Sequence, residues 1–581
     1  MTELKTNVLY YGDNLEILRH HIPDESVDLV YLDPPFNSQA DYNVLFREES
    51  GERSAAQIKA FSDFWRWDSA AEETYREIIE TCPDKVATMV SALRQGIGSN
   101  DVMAYLVMMT LRLVELRRVL KATGSLYLHC DPTASHYLKV VMDTVFGPVN
   151  FRSEIVWRRS NAHNKLSRQY GPIHDTLLFY SRTGNTWFKP GRRPYARQYV
   201  KERFPYEDGR GRYQSNVLTG SGVRTGDSGK PWRGYDPTPK GRHWGIPSSL
   251  ARLLPRTAKS LSVQEILDAL DKAGLILHPK GDDSLPRYKQ YLSSAEGVLF
   301  QDIWAFQPGT RGLLVDTDEG IDEDVKWLDS DDERLGYPTQ KPVGLLERII
   351  QSSAAPGALV LDPFCGCGTA VVAAQKLGRR WIGIDITYLA VDVMRKRLCD
   401  SFPADFPTPK DVMVIGEPVD VAGAHALATQ DRYQFQWWAL SLVNALPAGD
   451  ERKKGADTGI DGVIGFVEEK GKAARVIVSV KSGHVTASQV RDLKGVVERE
   501  KASIGLFITL ESLTQPMHTE AVSAGFYHSA LWDKDYPKVQ ILTVEELLAG
   551  KQPLLPPSAS GGFAKAPRVG KTEGEQRQLL P

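Results

Sequence analysis

Short apolar runs that end in an acidic residue recur along the chain. The run Leu29–Leu32 is followed by Asp33, and the run Trp381–Ile384 is followed by Asp385. Consecutive apolar positions over this length are typical of parallel strands that are buried on both faces. Residues 101–120 instead repeat their apolar positions with the period of a helix. The pattern predicts an α/β sheet with acidic groups at the carboxyl ends of its strands, where such sheets bind ligands.

The first of these acids begins the sequence Asp-Pro-Pro-Phe. Pro34 and Pro35 end the strand because proline has no backbone donor, and their fixed φ angles stiffen the loop. Asp33 and the carbonyl of Pro34 form two acceptors for an exocyclic amino group, and Phe36 offers a face on which a base can stack. The sequence thus predicts a catalytic loop of Asp33, Pro34, Pro35 and Phe36, although an ordinary turn after a strand shows the same pattern.

A glycine turn follows the strand that ends at Asp362. Residues 364–369 read Phe-Cys-Gly-Cys-Gly-Thr and open a predicted helix. Gly366 and Gly368 permit positive φ angles and a close approach of the backbone to a ligand, and Asp385 lies at a suitable distance to bind ribose hydroxyls. The full dinucleotide fingerprint and a phosphate-loop lysine are absent from the sequence, which disfavours NAD and ATP. The pattern predicts an adenosine-containing cofactor, and S-adenosylmethionine fits best.

The composition is that of a globular protein. The 581 residues are 25% charged and 42% hydrophobic, and this length predicts two to four domains. No apolar run approaches the length of a membrane span, and the first residues show no signal-peptide pattern. Five cysteines in so long a chain favour a reducing compartment. We expect a cytoplasmic protein without a membrane partner.

The charge is unevenly distributed. Residues 151–260 contain 22 Lys or Arg against 7 Asp or Glu, although the whole chain has a net charge of −2. A solvated surface would also show such charges, but aromatic residues are interleaved with them. Basic residues mixed with aromatic rings favour a nucleic-acid partner. The aromatic residues are Trp157, Tyr170, Trp187, Tyr195, Tyr213, Trp232 and Trp244.

The catalytic loop, the glycine turn and the sequence Tyr-Pro-Thr-Gln-Lys-Pro at residues 337–342 occur in an order that resembles β-group DNA amino-methyltransferases. The resemblance covers about residues 5–400. It implies a doubly wound, mostly parallel, Rossmann-like sheet, base flipping, and transfer of a methyl group from S-adenosylmethionine to an exocyclic nitrogen in double-stranded DNA. Asp13 caps a helix or, by the resemblance, contacts the cofactor's adenine, and the loop that carries Lys341 closes on its methionine end. The expected cofactor residues are Asp13, Lys341, Asp362, Phe364, Gly366, Gly368, Thr369 and Asp385.

The identity of the first catalytic residue bears on the target base. By the resemblance, enzymes with Asp at this position mostly methylate adenine at N6, whereas cytosine-N4 enzymes more often have Ser. Asp33 therefore favours adenine, with cytosine N4 as the alternative. A DNA-binding regulator that keeps the fold without turnover is a third interpretation, which the intact catalytic and cofactor residues disfavour.

A second module is predicted from residue 431. Asp461 precedes a predicted hairpin whose second strand ends in Lys481, and residues 430–550 resemble the Mrr-type restriction endonuclease domain. The resemblance implies that Asp461 binds Mg²⁺ and that Lys481 orients water or stabilises the phosphorane. Where that family has Glu or Gln two residues before the Lys, this chain has Ser479, a poorer metal ligand. Glu468 and Glu469 are the candidate substitutes. The sequence leaves two interpretations of this domain, an active nuclease and a catalytically silent DNA-binding domain.

These assignments predict a methyltransferase domain over residues 1–400 with a target-recognition insertion at about 183–300. We then expect a linker over 401–430, an α/β restriction-endonuclease-like domain over 431–550 and a disordered tail over 551–581. Residues 37–100 are interpreted as an insertion that forms a lid beside the catalytic loop. The resemblance also makes a homodimer possible.

Overall fold

The computed structural model describes most of the chain. Phe36, Tyr170 and the predicted tail beyond residue 557 lie outside the described residues. The described residues form two compact units, of which the second is Pro190–Gln301 and the first contains the others. The described ranges are 4–35, 41–47, 53–62, 65–159, 172–193, 195, 197–247, 250, 261–279, 281, 284–295, 297–304, 333, 335, 337, 339–448, 459–468 and 473–557.

The first unit is built around one large sheet. Its strands are β1 Val8–Tyr11, β2 Val27–Leu32, β3 Leu120–Cys130, β4 Phe151–Arg158, β5 His174–Ser181, β6 Ile303–Trp304, β7 Leu359–Asp362, β8 Arg380–Asp385 and β9 Met413–Ile415. Among the described residues their order is β6-β4-β5-β3-β2-β7-β8-β1-β9. Only β5 is antiparallel to its neighbours in this set. The predicted, mostly parallel sheet is confirmed.

Helices cover both faces of this sheet. Val8 and Tyr10 of β1 point into one apolar core, and Leu9 between them points into the other, as the alternation of side chains along a strand requires. Helices α1 to α5 contribute to the first core and α6 to α8 to the second, so the sheet is doubly wound as predicted. These helices are α1 Asn14–His21, α2 Ser69–Thr81, α3 Asp84–Ile97, α4 Asp101–Val119, α5 Pro132–Phe146, α6 Val343–Ser353, α7 Thr369–Lys376 and α8 Tyr388–Ser401.

The stretch predicted as a lid is partly a structural layer. Strands Asp41–Arg47 and Arg53–Ser62 pair as an antiparallel hairpin. Helices α2 and α3 follow it, and their residues Ile78 and Val90 are buried in the core that α4 shares. At least residues 69–97 therefore stabilise the sheet, and a lid remains a prediction for the residues before them.

The C-terminal part of the first unit contains a second, mixed sheet. Its order is β10-β11-β12-β13-β14, antiparallel up to β12 and parallel after it. Helices α9, α10 and α13 contribute to the core on one face, and α11 and α12 to the core on the other. The elements are α9 Val421–Gln430, α10 Arg432–Ser441, β10 Leu446–Pro447, β11 Gly462–Val467, β12 Ala473–Lys481, α11 Ala487–Arg499, β13 Ile504–Thr509, α12 Gln515–Ser523, β14 Val539–Thr543 and α13 Val544–Leu548, with a hairpin of Phe526–Ser529 and Lys534–Pro537.

The structure shows regular secondary structure at residues 401–430, where the sequence predicted a linker. Strand β9 within it pairs with β1 at the edge of the main sheet, and Ala424 and Leu427 of α9 are buried in the core of the C-terminal sheet. The stretch therefore belongs to two folded layers. Sequence patterning missed β9 because a strand of three residues is too short to show a period.

The second unit has its own small core. Strands Gly211–Val217 and Arg287–Tyr291 pair as antiparallel neighbours, and helix Val263–Lys272 packs its Leu267 and Leu270 into the core. Its described residues also form strands Arg192–Arg193, Tyr206–Asp208, Thr219–Ser221, Arg242–Trp244, Ile276–Leu277 and Val298–Leu299 and helix Arg197–Arg203.

Several aromatic residues of the basic block have a structural role. Trp232 and Trp244 are 3% and 2% exposed in the core of the second unit, and Trp157 is 3% exposed in the first. The interpretation of these three as base-stacking rings is wrong, because a buried ring offers no face to a base. None of the described helices is long and apolar enough to span a membrane.

Candidate active site

Four acidic residues lie in a row along one edge of the main sheet. Strands β2, β7, β8 and β1 are consecutive parallel neighbours, so their carboxyl ends meet at the same edge. Asp33, Asp362, Asp385 and Asp13 stand at or just after these ends and line one cavity of about 430 Å³. This volume suits a small-molecule ligand. The predicted catalytic and cofactor halves are thus adjacent.

The predicted catalytic loop forms part of the wall of the cavity. Asp33, Pro34 and Pro35 line it, whereas Phe36 is outside the described residues. Asp33 Oδ2 accepts a hydrogen bond from Lys341 Nζ at 2.5 Å. The other oxygen, Oδ1, is buried and has no hydrogen-bond partner in the described part of the chain. A buried acceptor without a partner is costly, so this oxygen is suited to a donor on a ligand.

Lys341 contacts the carboxylate of Asp33. Its side chain is 9% exposed, and its ammonium also donates to the carbonyl of Thr339 at 3.3 Å. The backbone carbonyl of Lys341 accepts from Thr369 Oγ1 at 3.2 Å, which fixes this loop on the first turn of α7. Lys341 lines the cavity that was predicted for the cofactor, and its charge is neutralised by Asp33.

The glycine turn adopts the predicted conformation. Gly366 has a φ of 48° and Gly368 a φ of 76°, a region that favours glycine. A Cβ on Gly366 would lie 3.3 Å from the Tyr337 ring. Phe364, Gly366 and Thr369 line the cavity, but Gly368 is not among its lining residues. Gly368 instead caps α7 and passes close to Met394.

The acid at the end of β8 is fixed by its neighbours. Asp385 Oδ1 accepts from the backbone N–H and the hydroxyl of Thr387, at 2.9 and 2.8 Å, and Oδ2 accepts from the N–H of Gly366 at 2.9 Å. Burial raises the pKa of Asp385, and it raises that of Asp362 well above the usual range. Both carboxyl groups are therefore held in a site that disfavours extra negative charge.

Asp13 has both predicted features. It caps α1 by accepting from the N–H of Leu15 at 2.7 Å, and it lines the cavity. Arg112 of α4 forms an ion pair with it at 3.1 Å and also donates to Asn14 Oδ1. Asn14 in turn donates to the carbonyl of Pro363 at 2.7 Å. These contacts connect the ends of β1 and β7 on the wall of the cavity.

Comparison with protein families agrees with this geometry. Residues 27–396, which include Asp33, the glycine turn and Asp385, match the family of N6/N4 methyltransferases described as DNA methylase. The chain belongs to this family.

Individual relatives resemble parts of the chain. The type II methyltransferase M.EcaI of Enterobacter cloacae is 31% identical over 296 residues, which are 51% of this chain and 57% of that protein. The Mod subunit of the type III restriction-modification enzyme StyLTI of Salmonella typhimurium is 24% identical over 64% of this chain and 50% of that protein. This DNA methylase chain thus spans about half the length of the curated relatives it matches. The solved complex of M1.HpyAVI with SAM gives a TM-score of 0.28 at 14% identity, over 67% of this chain and 98% of that one, and at that score it supports no conclusion.

Some residues of the site were not predicted from the sequence. Tyr31, inside β2, lines the cavity, and its hydroxyl lies 2.9 Å from His129 Nδ1. His129 Nε2 lies 3.0 Å from Asp175 Oδ2, and both side chains are fully buried. Although burial raises the pKa of Asp175, the hydrogen bond from His129 lowers it below its usual value. Tyr31 and Arg112 sit inside regular elements, where no sequence signal distinguishes them from core residues.

The C-terminal domain brings together three residues that were predicted from the resemblance to a nuclease domain. Residues 441–549 match the family described as NACHT-associated inactive restriction endonuclease 1. The structure brings the predicted residues together, because Asp461 Oδ2 accepts from Ser479 Oγ at 3.1 Å and lies 3.6 Å from Lys481 Nζ. The same oxygen accepts from the N–H of Val480 at 2.6 Å, and Oδ1 accepts from Gln436 Nε2 at 3.0 Å.

These contacts do not fit a magnesium ion. Asp461 is 6% exposed, and both its oxygens are occupied by protein donors. Glu468 binds Ser529 and Leu531 on the hairpin, and Glu469 lies outside the described residues. Within the described ranges, no group of three or more His, Cys, Asp or Glu is arranged to hold a metal. The Mg²⁺ expectation for Asp461 therefore has no support in this geometry.

Proposed function

We propose that the chain is an S-adenosylmethionine-dependent DNA methyltransferase that acts on adenine N6. The observation that carries this proposal is the buried Oδ1 of Asp33, which lines the cavity and has no hydrogen-bond partner among the described residues. An exocyclic amino group supplies the donor that this acceptor needs. Membership of the DNA methylase family supports the same chemistry.

The cavity residues fit S-adenosylmethionine. The positive φ of Gly366 brings the backbone of the turn to the cavity surface, where a side chain would meet Tyr337. Asp385, fixed by Thr387 and Gly366, would bind the ribose hydroxyls, and Asp13 would face the adenine. Phe364 and Thr369 complete the wall. S-adenosylmethionine, when bound, supplies a methyl group activated by its sulfonium sulfur.

The protein's task is then to position the amine. A base in a duplex cannot reach the cavity, so the target base must leave the stack. Asp33 Oδ1 and the Pro34 carbonyl would accept its amino hydrogens and direct the nitrogen lone pair at the methyl carbon. Lys341 holds Asp33 Oδ2, so the other oxygen keeps a fixed direction. Alignment of this kind supplies much of the rate for a direct displacement.

Cytosine N4 is the alternative target. Its amino group presents the same two hydrogens to Asp33, and the family includes both specificities in its name. Adenine is favoured by Asp at position 33, through the resemblance to adenine-specific enzymes. The same proposal includes double-stranded DNA as the substrate and a target-recognition role for residues of the second unit. It also includes a homodimer and a cytoplasmic location.

The test is expression in a bacterial host that lacks DNA methyltransferases, followed by nucleoside analysis of its DNA. We expect N6-methyladenine with the wild type and none with Asp33→Ala, while calorimetry shows cofactor binding by both proteins. N4-methylcytosine would select the alternative target. DNA without either product, from a host that contains the soluble protein, would contradict the proposal.

For the C-terminal domain we infer a role without DNA cleavage. The occupied oxygens of Asp461 and the name of the matching family support this inference. Plasmid digestion with Mg²⁺, on methylated and unmethylated DNA, should give no cleavage by the wild type above the level of Lys481→Ala. Cleavage that disappears in Lys481→Ala would instead support a fused restriction activity.

A further inference from the structure

The C-terminal domain contacts the methylase directly behind the cofactor cavity. Gln434, on α10, accepts two hydrogen bonds through Oε1, from the N–H of Tyr388 at 2.9 Å and from the hydroxyl of Tyr11 at 3.3 Å. Tyr388 is the first residue of α8, and it follows Thr387, which lines the cavity. Tyr11 ends β1 two residues before Asp13. Gln434 of the C-terminal domain thus contacts both the end of β1 and the start of α8, which follows β8.

Gln434 accepts from the backbone N–H of Tyr388, which has no hydrogen-bond partner within its own helix. The first N–H groups of a helix have no partner inside it, and Tyr388 is 1% exposed, so water is excluded as a partner. The cap residue Thr387 uses its hydroxyl for Asp385 and for the N–H of Ala390. Gln434 therefore completes the cap of α8 from another domain.

The surrounding packing makes this contact firm. The Tyr388 ring is part of the core formed by α9 and α10, and it meets the Tyr11 ring edge-on at 5.6 Å. Its hydroxyl donates to Glu417 at 3.0 Å and accepts from Ser441 of α10 at 3.3 Å. A methylase residue is thus buried in the core of the C-terminal domain.

We infer that the C-terminal domain is a working part of the cofactor site, with Gln434 as the positioning residue for the turn Asp385–Tyr388 and for the end of β1. This turn holds Asp385 through Thr387, and Gly12 between Tyr11 and Asp13 donates to the Asp385 carbonyl at 3.0 Å. A shift of α10 moves both cofactor-facing ends together. Cofactor affinity therefore depends on the state of a domain whose described residues do not line the cavity.

This inference rests on the cofactor assignment of the proposed function, and its test measures binding alone. S-adenosylhomocysteine is titrated by calorimetry into the full chain. Gln434→Met keeps the length of the side chain and removes the acceptor, and we expect a loss of affinity of about tenfold. Gln434→Glu keeps the acceptor and should bind within about threefold of the wild type. Gln430→Met, at an exposed position at the end of α9, is the matched control and should leave affinity unchanged.

A second measurement separates positioning from general destabilisation. Because coupling between two sites is reciprocal, saturating S-adenosylhomocysteine should slow amide hydrogen exchange in α10 of the wild type and not in Gln434→Met. Three results would overturn the inference while the cofactor assignment stands. They are an unchanged affinity in Gln434→Met, an equal loss of affinity in Gln430→Met, and a rate of hydrogen exchange in α10 that does not change when the ligand binds. A wild type that does not bind S-adenosylhomocysteine would overturn both.

Discussion

Lys341 and Asp33 form an ion pair across 308 positions of the sequence, with Nζ and Oδ2 2.5 Å apart at the wall of the cavity. The pair joins the strand that carries the catalytic loop to the loop before α6. It leaves Asp33 with one oxygen paired and the other without a hydrogen-bond partner among the described residues. The Asp33 carboxylate is therefore held in one orientation by Lys341.

Lys341→Met should lower both stability and activity. The substitution leaves the largely buried Asp33 carboxylate without its cation, which costs about 3 kcal/mol of unfolding free energy. Methyl transfer should fall by at least about tenfold because the acceptor loses its fixed direction. Chemical denaturation and a labelled-methyl assay measure the two effects.

Two further variants check this explanation. Lys341→Met combined with Asp33→Asn should regain most of the stability, since no charge is left unpaired. The double variant should be inactive, since it lacks the Asp33 carboxylate. Lys376→Met removes the cation of a more exposed pair with Glu347 and should cost less than about 1 kcal/mol. Equal losses in the two lysine variants would refute a special role for Lys341.

Gly366→Val should weaken cofactor binding with little effect on the structure of the catalytic loop, which lies on a different strand. Valine is strained at a φ of 48°, and its Cβ would press on the Tyr337 ring at 3.3 Å. We expect a loss of at least about 2 kcal/mol, or about 30-fold in affinity. Gly344→Val, in open space on α6, should bind the cofactor normally. Undiminished binding by Gly366→Val would show that the turn does not face the cofactor.

Asp392→Asn should change how stability depends on pH. Burial raises the pKa of Asp392 from 3.8 to about 6. Between these values the unfolded chain is ionised and the folded chain keeps its proton, so this group lowers stability as pH rises. The variant should gain about 2 kcal/mol over the wild type from pH 4 to pH 6, and only about 0.4 kcal/mol more above pH 6. Parallel stability curves would contradict the shift.

DNA affinity should fall steeply with salt if the basic block contacts phosphates. Each phosphate contact contributes about 0.9 to the slope of log affinity against log salt. Arg210 and Arg224 are exposed on the second unit, and replacing both by Ala should reduce the slope by up to about 2. Arg117→Ala, exposed on α4, is the control. A slope equal to that of the wild type would move the DNA surface away from these arginines.

Local patterns were enough to predict the parts of the site that lie at strand ends. Asp33, Asp362 and Asp385 were found because each ends an apolar run, and Gly366 because glycine has a distinctive backbone. The order of strands that sets them side by side came from the resemblance to a family. Each of these signals is contained in a few neighbouring residues.

The remaining contacts depend on residues that are distant in sequence. Nothing near Lys341 indicates that it pairs with Asp33, and nothing near Gln434 indicates that it caps α8. Tyr31 looked like any strand residue until the fold placed His129 beside it. Trp232 and Trp244 were misinterpreted because composition cannot distinguish a buried ring from an exposed one.

The position of β1 in the sheet has a consequence for biosynthesis. Both of its neighbours, β8 and β9, are made more than 370 residues later. At about 5–20 residues per second, β1 waits for them on the order of half a minute. Val8, Leu9 and Tyr10 stay without their partner strands for that time, so a nascent chain of this protein is prone to aggregate or to require a chaperone. Ribosome-bound chains that stop before residue 380 should expose this strand, whereas chains that extend past β9 should bury it.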